Sequence, residues 1–275
     1  MYRILDWKRQ WFQCVALILS IVHPLFFDLP KVIVGLLTQV EVKVSELEII
    51  WRLLILYRKW TLAAGIFIFL IFKFRKHNKD IVIRQNISNR IIWHTIWGYW
   101  LCRKVLNYQK ISLVRVPIPM QFRLICSNLF EEYQYDSVVE LESGKDCVKK
   151  EVFNDACYTN TVNLVLADTY PLSWTDQLPA DYLNFTTIKI DRTSEDRRRY
   201  CSADFIKEVV FAVRDLPQNV VEINLFGTLN PAHCLGIAKE CFMTGGRDHI
   251  KMLNVFQQSS EGTRVFIDKK ERIFV

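Results

Sequence analysis

Two apolar stretches near the N-terminus constrain this 275-residue chain more than any other feature of it. Trp11 to Phe27 (WFQCVALILSIVHPLFF) holds no Asp, Glu, Lys or Arg, and an apolar tail from Val32 to Leu37 follows the interruption at Asp28 to Lys31. The second stretch is Trp60 to Phe72 (WTLAAGIFIFLIF). A bilayer core of about 30 Å takes roughly 20 helical residues, so both are marginal spans. The first crosses if it tilts or if Asp28 and Lys31 reach the interface. The second needs Leu53 to Tyr57, or snorkelling of Arg58 and Lys59. We read residues 1–76 as a transmembrane hairpin, multi-pass and uncleaved, because no small-residue cleavage site follows the first stretch and a second stretch comes after it. Single-pass insertion is the alternative, with Ile49 to Trp60 lying in the interface. His23 beside Pro24 reads as the neighbour of a helix kink.

Charge sharpens this division. The formal charge is +7, but it is spread unevenly along the chain. Residues 1–72 carry eight basic and five acidic side chains, 73–115 ten basic and one acidic, and 116–275 eighteen basic and twenty-three acidic. Arg3, Lys8 and Arg9 precede the first stretch, and Lys73, Arg75, Lys76 and Lys79 follow the second. The positive-inside rule puts both termini in the cytoplasm, with Val40 to Glu48 on the other side. A basic stem beside the membrane suits anionic headgroups. The acidic distal part argues against a partner such as a DNA or RNA duplex, which needs a broad basic face.

Within the stem, residues 77–115, the segment Asn89 to Tyr108 is expected to form an amphipathic helix, packed on the domain or lying at the interface. Beyond it, Ile111 to Ile125 reads as extended, because Pro117 and Pro119 argue against a helix. Val138 to Leu141 reads as a short strand. Alternation then becomes regular, with strands Val162 to Ala167, Thr186 to Asp191, Val220 to Phe226 and Ile250 to Phe256. Between them come helices Ala203 to Arg214 and Pro231 to Phe242, and a final strand pair lies near Thr263 to Ile267 and Arg272 to Val275. Short buried strands alternating with helices imply an α/β fold over residues 116–275, Rossmann-like, with a mixed, largely parallel sheet.

Ligands of such sheets settle at the carboxyl ends of the strands. Three loops fall there: Asp168-Thr169-Tyr170-Pro171, Gly227-Thr228-Leu229-Asn230-Pro231, and Gln257-Gln258-Ser259-Ser260. Gly227 permits close approach, Asn230 is a helix cap and Pro231 suits a first turn. That turn is either an anion site or an ordinary capped strand-to-helix connection. Arg192, Arg197 to Arg199, Arg247 and Arg264 surround these loops, and Arg192, at a strand end, is the best ligand candidate. Arg197 to Arg199 read first as a solvated helix start.

Catalytic signatures are missing: there is no GxSxG, Walker loop, HExxH or GxGxxG. Cys234 follows His233, but neighbours on a helix point about 100° apart, and both fit helix packing. The eight cysteines form no CxxC and no zinc spacing, and they read as reduced, mostly buried thiols. The sequons at Asn86 and Asn184 are then chance matches. We expect no enzyme activity, no catalytic residues, no metal and no cofactor.

WGYWLCRKVLNYQKISLVRVPIPMQF, NLVLADTYP and above all INLFGTLNPAHCLGIAKECF, followed by a strand ending VFQQ, resemble the SAVED sensor domain of bacterial anti-phage signalling systems (CBASS). The resemblance covers most of Asn89 to Phe266. It implies a CARF-like SAVED domain fused to two transmembrane helices at the bacterial inner membrane, with a cyclic oligonucleotide as activating ligand. A cyclic di- or trinucleotide would bind near Asp168, Thr169, Tyr170, Arg192, Gly227, Thr228, Asn230 and Gln257. It further implies ligand-dependent homo-oligomers and disruption of the lipid bilayer. A membrane-anchored enzyme acting on a nucleotide would instead turn the ligand over. In a tethered protein-interaction scaffold, pocket substitutions would be silent and changes on helix faces would matter.

Overall fold

The computed structural model describes residues 6–26, 48–83, 95–135, 139–140, 147–155, 159–193, 200–243, 249–259 and 262–274. The chain forms two compact units, one of Met1–Ile83 with Trp97–Lys110 and the other of Arg84–Ile96 with Ile111–Val275.

In the first unit α1 (Asp6–Phe26) packs against α2 (Glu48–Asn78), and a short helix α3 (Ile96–Lys104) follows the two-residue strand β1 (Val82–Ile83). The burial pattern of this pair is inverted relative to a water-soluble bundle. Gln10, Gln13, Leu17 and Ser20 recur at heptad-like spacing and are buried, as is Ala63 of α2. Trp11, Phe12, Val15, Ile18, Leu19 and Ile21 of α1 are exposed, and so are Trp60, Ile66, Ile68, Phe69 and Phe72 of α2. Small or hydrogen-bonding residues inside and large apolar ones outside is the arrangement helices adopt in lipid, where packing and polar contacts hold them together. No helix among the described residues is long and apolar enough to cross a membrane. The expected loop lies outside the described residues from Val40 to Leu47, its last residue Glu48 beginning α2. The interruption at Asp28 to Lys31 lies outside them too, as do the side chains of His23 and Pro24.

In the second unit the strands are β2 (Lys110–Ser112), β3 (Glu132–Gln134), β4 (Val139–Glu140), β5 (Cys147–Phe153), β6 (Thr161–Ala167), β7 (Thr187–Thr193), β8 (Tyr200–Cys201), β9 (Glu222–Gly227), β10 (Met252–Phe256) and β11 (Glu271–Phe274). Six of them make one sheet in the order β11-β10-β9-β6-β7-β5. The four central strands are parallel and the two edge strands antiparallel, which is the mixed, largely parallel α/β sheet that alternation implied. Its helices are α4 (Ile118–Cys126), α5 (Trp174–Gln177), α6 (Ala203–Arg214) and α7 (Pro231–Ile237), the last running into a π-helical turn Ala238–Met243.

Two expectations need correction. Ile118–Cys126 is helical, because Pro119 occupies the first turn, where a missing N–H costs nothing and the fixed φ is already helical. Near the C-terminus Thr263 to Ile267 is no strand: Phe266 makes a single antiparallel bridge to Gln258, and only Glu271–Phe274 forms a strand.

One face of the sheet is aromatic. Phe226 and Phe256 stack 4.3 Å apart, Tyr182 meets them edge-on at 5.5 and 4.9 Å, and Phe266 closes on Phe226 at 5.2 Å. Leu172 and Leu178 complete this cluster from the segment after β6. Two residues back along the strands, on that same face, lies a buried polar row. Asn163, Asn224 and Asn254 sit in register on β6, β9 and β10. Asn254 donates to Asn224 at 2.9 Å, Asn224 to Asn163 at 3.3 Å, and Asn163 to Thr187 of β7 at 3.1 Å. A one-residue slip would lose every one of these bonds, so the row fixes the alignment of the strand ends that carry the loops.

Candidate ligand site at the carboxyl edge of the sheet

Each of the three loops leaves the carboxyl end of a parallel strand, and the first two are fastened to each other. Thr169 donates to the Thr228 carbonyl through its backbone N–H at 3.0 Å and its hydroxyl at 2.5 Å. The Thr228 hydroxyl accepts from the Asp168 N–H at 3.2 Å and donates to the Tyr170 carbonyl at 3.1 Å. Gly227 ends β9, and a Cβ there would come within 3.2 Å of the Leu229 side chain.

Asp168 is the centre of this arrangement. Its Oδ1 accepts from Arg192 Nε at 2.8 Å, and its Oδ2 accepts from the Asn230 backbone N–H at 2.9 Å. Oδ2 also lies 2.7 Å from His233 Nδ1. The Ser202 N–H donates to His233 Nε2 at 2.7 Å, so Nδ1 carries the ring proton and donates to the carboxylate. Asn230 Nδ2, 3.0 Å from that same Nδ1, has its acceptor in the Tyr200 carbonyl. Asp168, Arg192, Asn230 and His233 are all buried. A buried carboxylate held by a guanidinium and two further donors satisfies the desolvation requirement, and losing any partner leaves a charge stranded.

Four expected site residues, Asp168, Arg192, Thr228 and Asn230, thus meet in one bonded cluster, where they shape the loops from beneath. Asn230 caps α7 as expected, its side chain accepting from the His233 N–H at 2.9 Å. The cap takes one amide of this turn and Asp168 takes that of Asn230, which favours the reading as a capped connection over that of an anion site. His233, read from the sequence as a packing residue, belongs to the cluster, and so does the Ser202 backbone. Cys234 stays a buried thiol, held well above its ordinary pKa by desolvation and then by the charge of Asp168.

The residues that face outward are different ones. Tyr170 is 46% exposed, and the Arg264 guanidinium lies over its ring at 4.3 Å. Thr169 is partly buried beside it. Gln257 is set apart from the cluster, its side-chain oxygen accepting from the Ile118 N–H at 3.2 Å. Arg197 to Arg199, Arg247 and Ser260 lie outside the described residues. Among the described residues no cluster of His, Cys, Asp or Glu has the makings of a metal site.

The family profile of the SMODS- and Ubiquitin system-associated 2TM effector domain matches residues 1–274. The chain belongs to this family. The 2TM effector of its name agrees with the hairpin-bearing effector that the sequence resembles. No curated protein matches the chain. Solved structures similar to its fold include the Acinetobacter baumannii Cap4 SAVED/CARF-domain containing receptor with the cyclic trinucleotide 3'3'3'-cAAA, at 8% identity and a TM-score of 0.43 over 62% of this chain and 40% of that one. The same receptor with 2'3'3'-cAAA matches at 9% identity and a TM-score of 0.43, over 62% and 41%. The chain spans about two fifths of the length of those structures.

Proposed function

We propose that this 2TM effector is a ligand-gated membrane protein of bacterial anti-phage defence, activated by a cyclic oligonucleotide bound at the carboxyl edge of its sheet. The observation that carries the reading is the contrast at that edge. Beneath it a buried knot centred on Asp168 holds two loops rigid, and above it an aromatic ring with a guanidinium over its face is open to solvent. A nucleobase stacks on such a ring and a phosphate pairs with such a guanidinium. Tyr170, Thr169, Arg264 and Gln257 are then the ligand contacts. Asp168, Arg192, Thr228 and Asn230 position them, and Gly227 lets the backbone come close.

In this reading the inverted hairpin sits in the inner membrane with both termini cytoplasmic. Ligand binding assembles the chains into homo-oligomers, which raises the local concentration of hairpins whose marginal apolar length favours association. The assembled hairpins disrupt the bilayer without turning the ligand over.

Thermal unfolding of the full-length protein in detergent, against cyclic di-, tri- and tetranucleotides, tests this. A ligand at 100 times its dissociation constant adds about 2.7 kcal/mol. We expect one class of ligand to raise Tm, and Tyr170→Ala or Arg264→Ala to remove the rise while leaving the unliganded Tm unchanged. A folded protein that responds to no member of the panel would refute the sensor reading.

A further inference from the structure

Helix α3 presents its apolar side to solvent. Trp97, Trp100, Leu101 and Lys104 recur at i, i+3, i+4 and i+7, and the first three are 72%, 44% and 36% exposed. Trp97 and Trp100 meet edge-to-face at 6.1 Å. On the opposite side Tyr99 and Cys102 are fully buried within the same unit. A nine-residue helix that already buries one face has no need of two tryptophans on the other for its own stability.

Its position is fixed by a polar clasp. Arg75, in the last turn of α2, donates to the Lys104 carbonyl at 2.7 Å and the Val105 carbonyl at 3.3 Å, satisfying carbonyls at the end of α3. Asn78 donates to the Leu106 carbonyl at 3.0 Å and exchanges amide bonds with Gln13 of α1 at 3.0 and 3.1 Å. The Tyr108 hydroxyl donates to Gln13 at 3.2 Å, and Gln13, Asn78 and Tyr108 are all buried. The clasp therefore ties α3 to the C-terminal end of α2 and, through Gln13, to the N-terminal half of α1.

We propose that α3 is an interfacial helix whose Trp97, Trp100 and Leu101 face is seated in the headgroup region of an anionic bilayer. Tryptophan is the side chain that prefers this depth, with its ring in apolar surroundings and its N–H in water. The charge fits the same occupant. Lys73, Lys76, Lys79 and Lys104 are exposed around the clasp, Arg103 is partly so, and Asp80 is the only acidic residue among residues 73–115. This inference rests on the membrane reading of the hairpin, and it adds a third contact with the lipid that positions the exit of the hairpin.

The test uses full-length protein in mixed phosphatidylglycerol–phosphatidylcholine vesicles. Fluorescence of the wild type minus that of a Trp97→Phe/Trp100→Phe variant isolates the two rings. Brominated lipid is expected to remove most of this difference signal and aqueous acrylamide little of it. Quenching by acrylamide alone would overturn the proposal, and so would resistance to both quenchers, which is the result if a second copy or another protein covers the face. Retention of both proteins on the vesicles through an alkaline carbonate wash reports the hairpin separately. Retention without bromolipid quenching removes the interfacial helix and leaves the anchor standing, whereas loss in the wash removes the anchor itself.

Discussion

The sheet of the α/β unit and the packed pair α1–α2 bury opposite things. In the α/β unit the centre of the sheet is apolar and aromatic, and its buried polar groups are concentrated in the asparagine row and the Asp168 knot. In the pair α1–α2 glutamines and a serine are inside with Leu17 and Ala63, while tryptophan, phenylalanine and isoleucine are outside. On the membrane reading proposed above, one chain is written for two solvents. Where water is the alternative, apolar burial drives assembly and polar groups inside need full partners. Where lipid is the alternative, apolar side chains gain nothing by turning inward, and packing with polar contacts holds helices together.

Removing Asp168 should produce the largest effect. Asp168→Ala leaves the Arg192 guanidinium, the His233 N–H and the Asn230 N–H buried without their acceptor, an expected loss of about 3–5 kcal/mol. Urea unfolding followed in the α/β unit measures it, and a loss under about 1 kcal/mol would mean that the knot is hydrated. On the outer face of α1, Phe12→Ser with Leu19→Ser is expected to weaken membrane retention by about 1.5–3 kcal/mol per residue, where in a water-facing helix the same changes would be neutral or helpful. Flotation on a density gradient distinguishes these outcomes.

Gly236→Ala comes next. A Cβ at that position would lie 2.6 Å from Ile206 Cδ1, so the tip of the Ile206 side chain must swing away, at an expected cost of about 0.5–1.5 kcal/mol. In the hairpin, Gln13→Leu removes the partner of Asn78 and Tyr108, yet in lipid such interhelical bonds are worth only about 0.6 kcal/mol on average and under 2 at most. A loss as large as that of Asp168→Ala would break the contrast between the units. A pH effect at Cys102 comes last, because it is confined to strongly alkaline solution. Burial pushes its thiol up to about 12 from an ordinary value of 9.0. Its folded-state pKa is raised, so its contribution is intact below about 9 and is lost as pH rises from there toward 12. Alkylation by iodoacetamide should spare Cys102 and Cys234 in the folded protein and modify the exposed Cys147.

Much of the α/β unit was legible because its parallel strands are short apolar runs with caps and glycines at their ends. Ala203–Arg214 is helical as expected, with Ser202 as its cap, and Asn230-Pro231 starts a helix for the reasons its chemistry suggests. β5 was missed because CVKKEVF is a solvated edge strand, without the apolar run that marks its neighbours. The Pro117-Ile118-Pro119 segment misled because proline weighs against a helix interior and in favour of a first turn. At the site, sequence spacing located the loops but not their division of labour. Arg192 at a strand end looked available to a ligand, and only its 2.8 Å bond to Asp168 makes it internal. His233 offered no signal, since a histidine on a buried helix face is more often a satisfied core residue than part of a site. Nor does spacing alone reveal that Asn163, Asn224 and Asn254 share a row, because register between distant strands is a tertiary property.

Dye release from anionic vesicles carrying the full-length protein tests the central claim most directly, because it requires the sensor edge and the hairpin to act together. The account predicts release on addition of the cyclic oligonucleotide that raises Tm, lost with Arg264→Ala and absent from vesicles without protein. Tight binding of that ligand with no release at any protein density would contradict it.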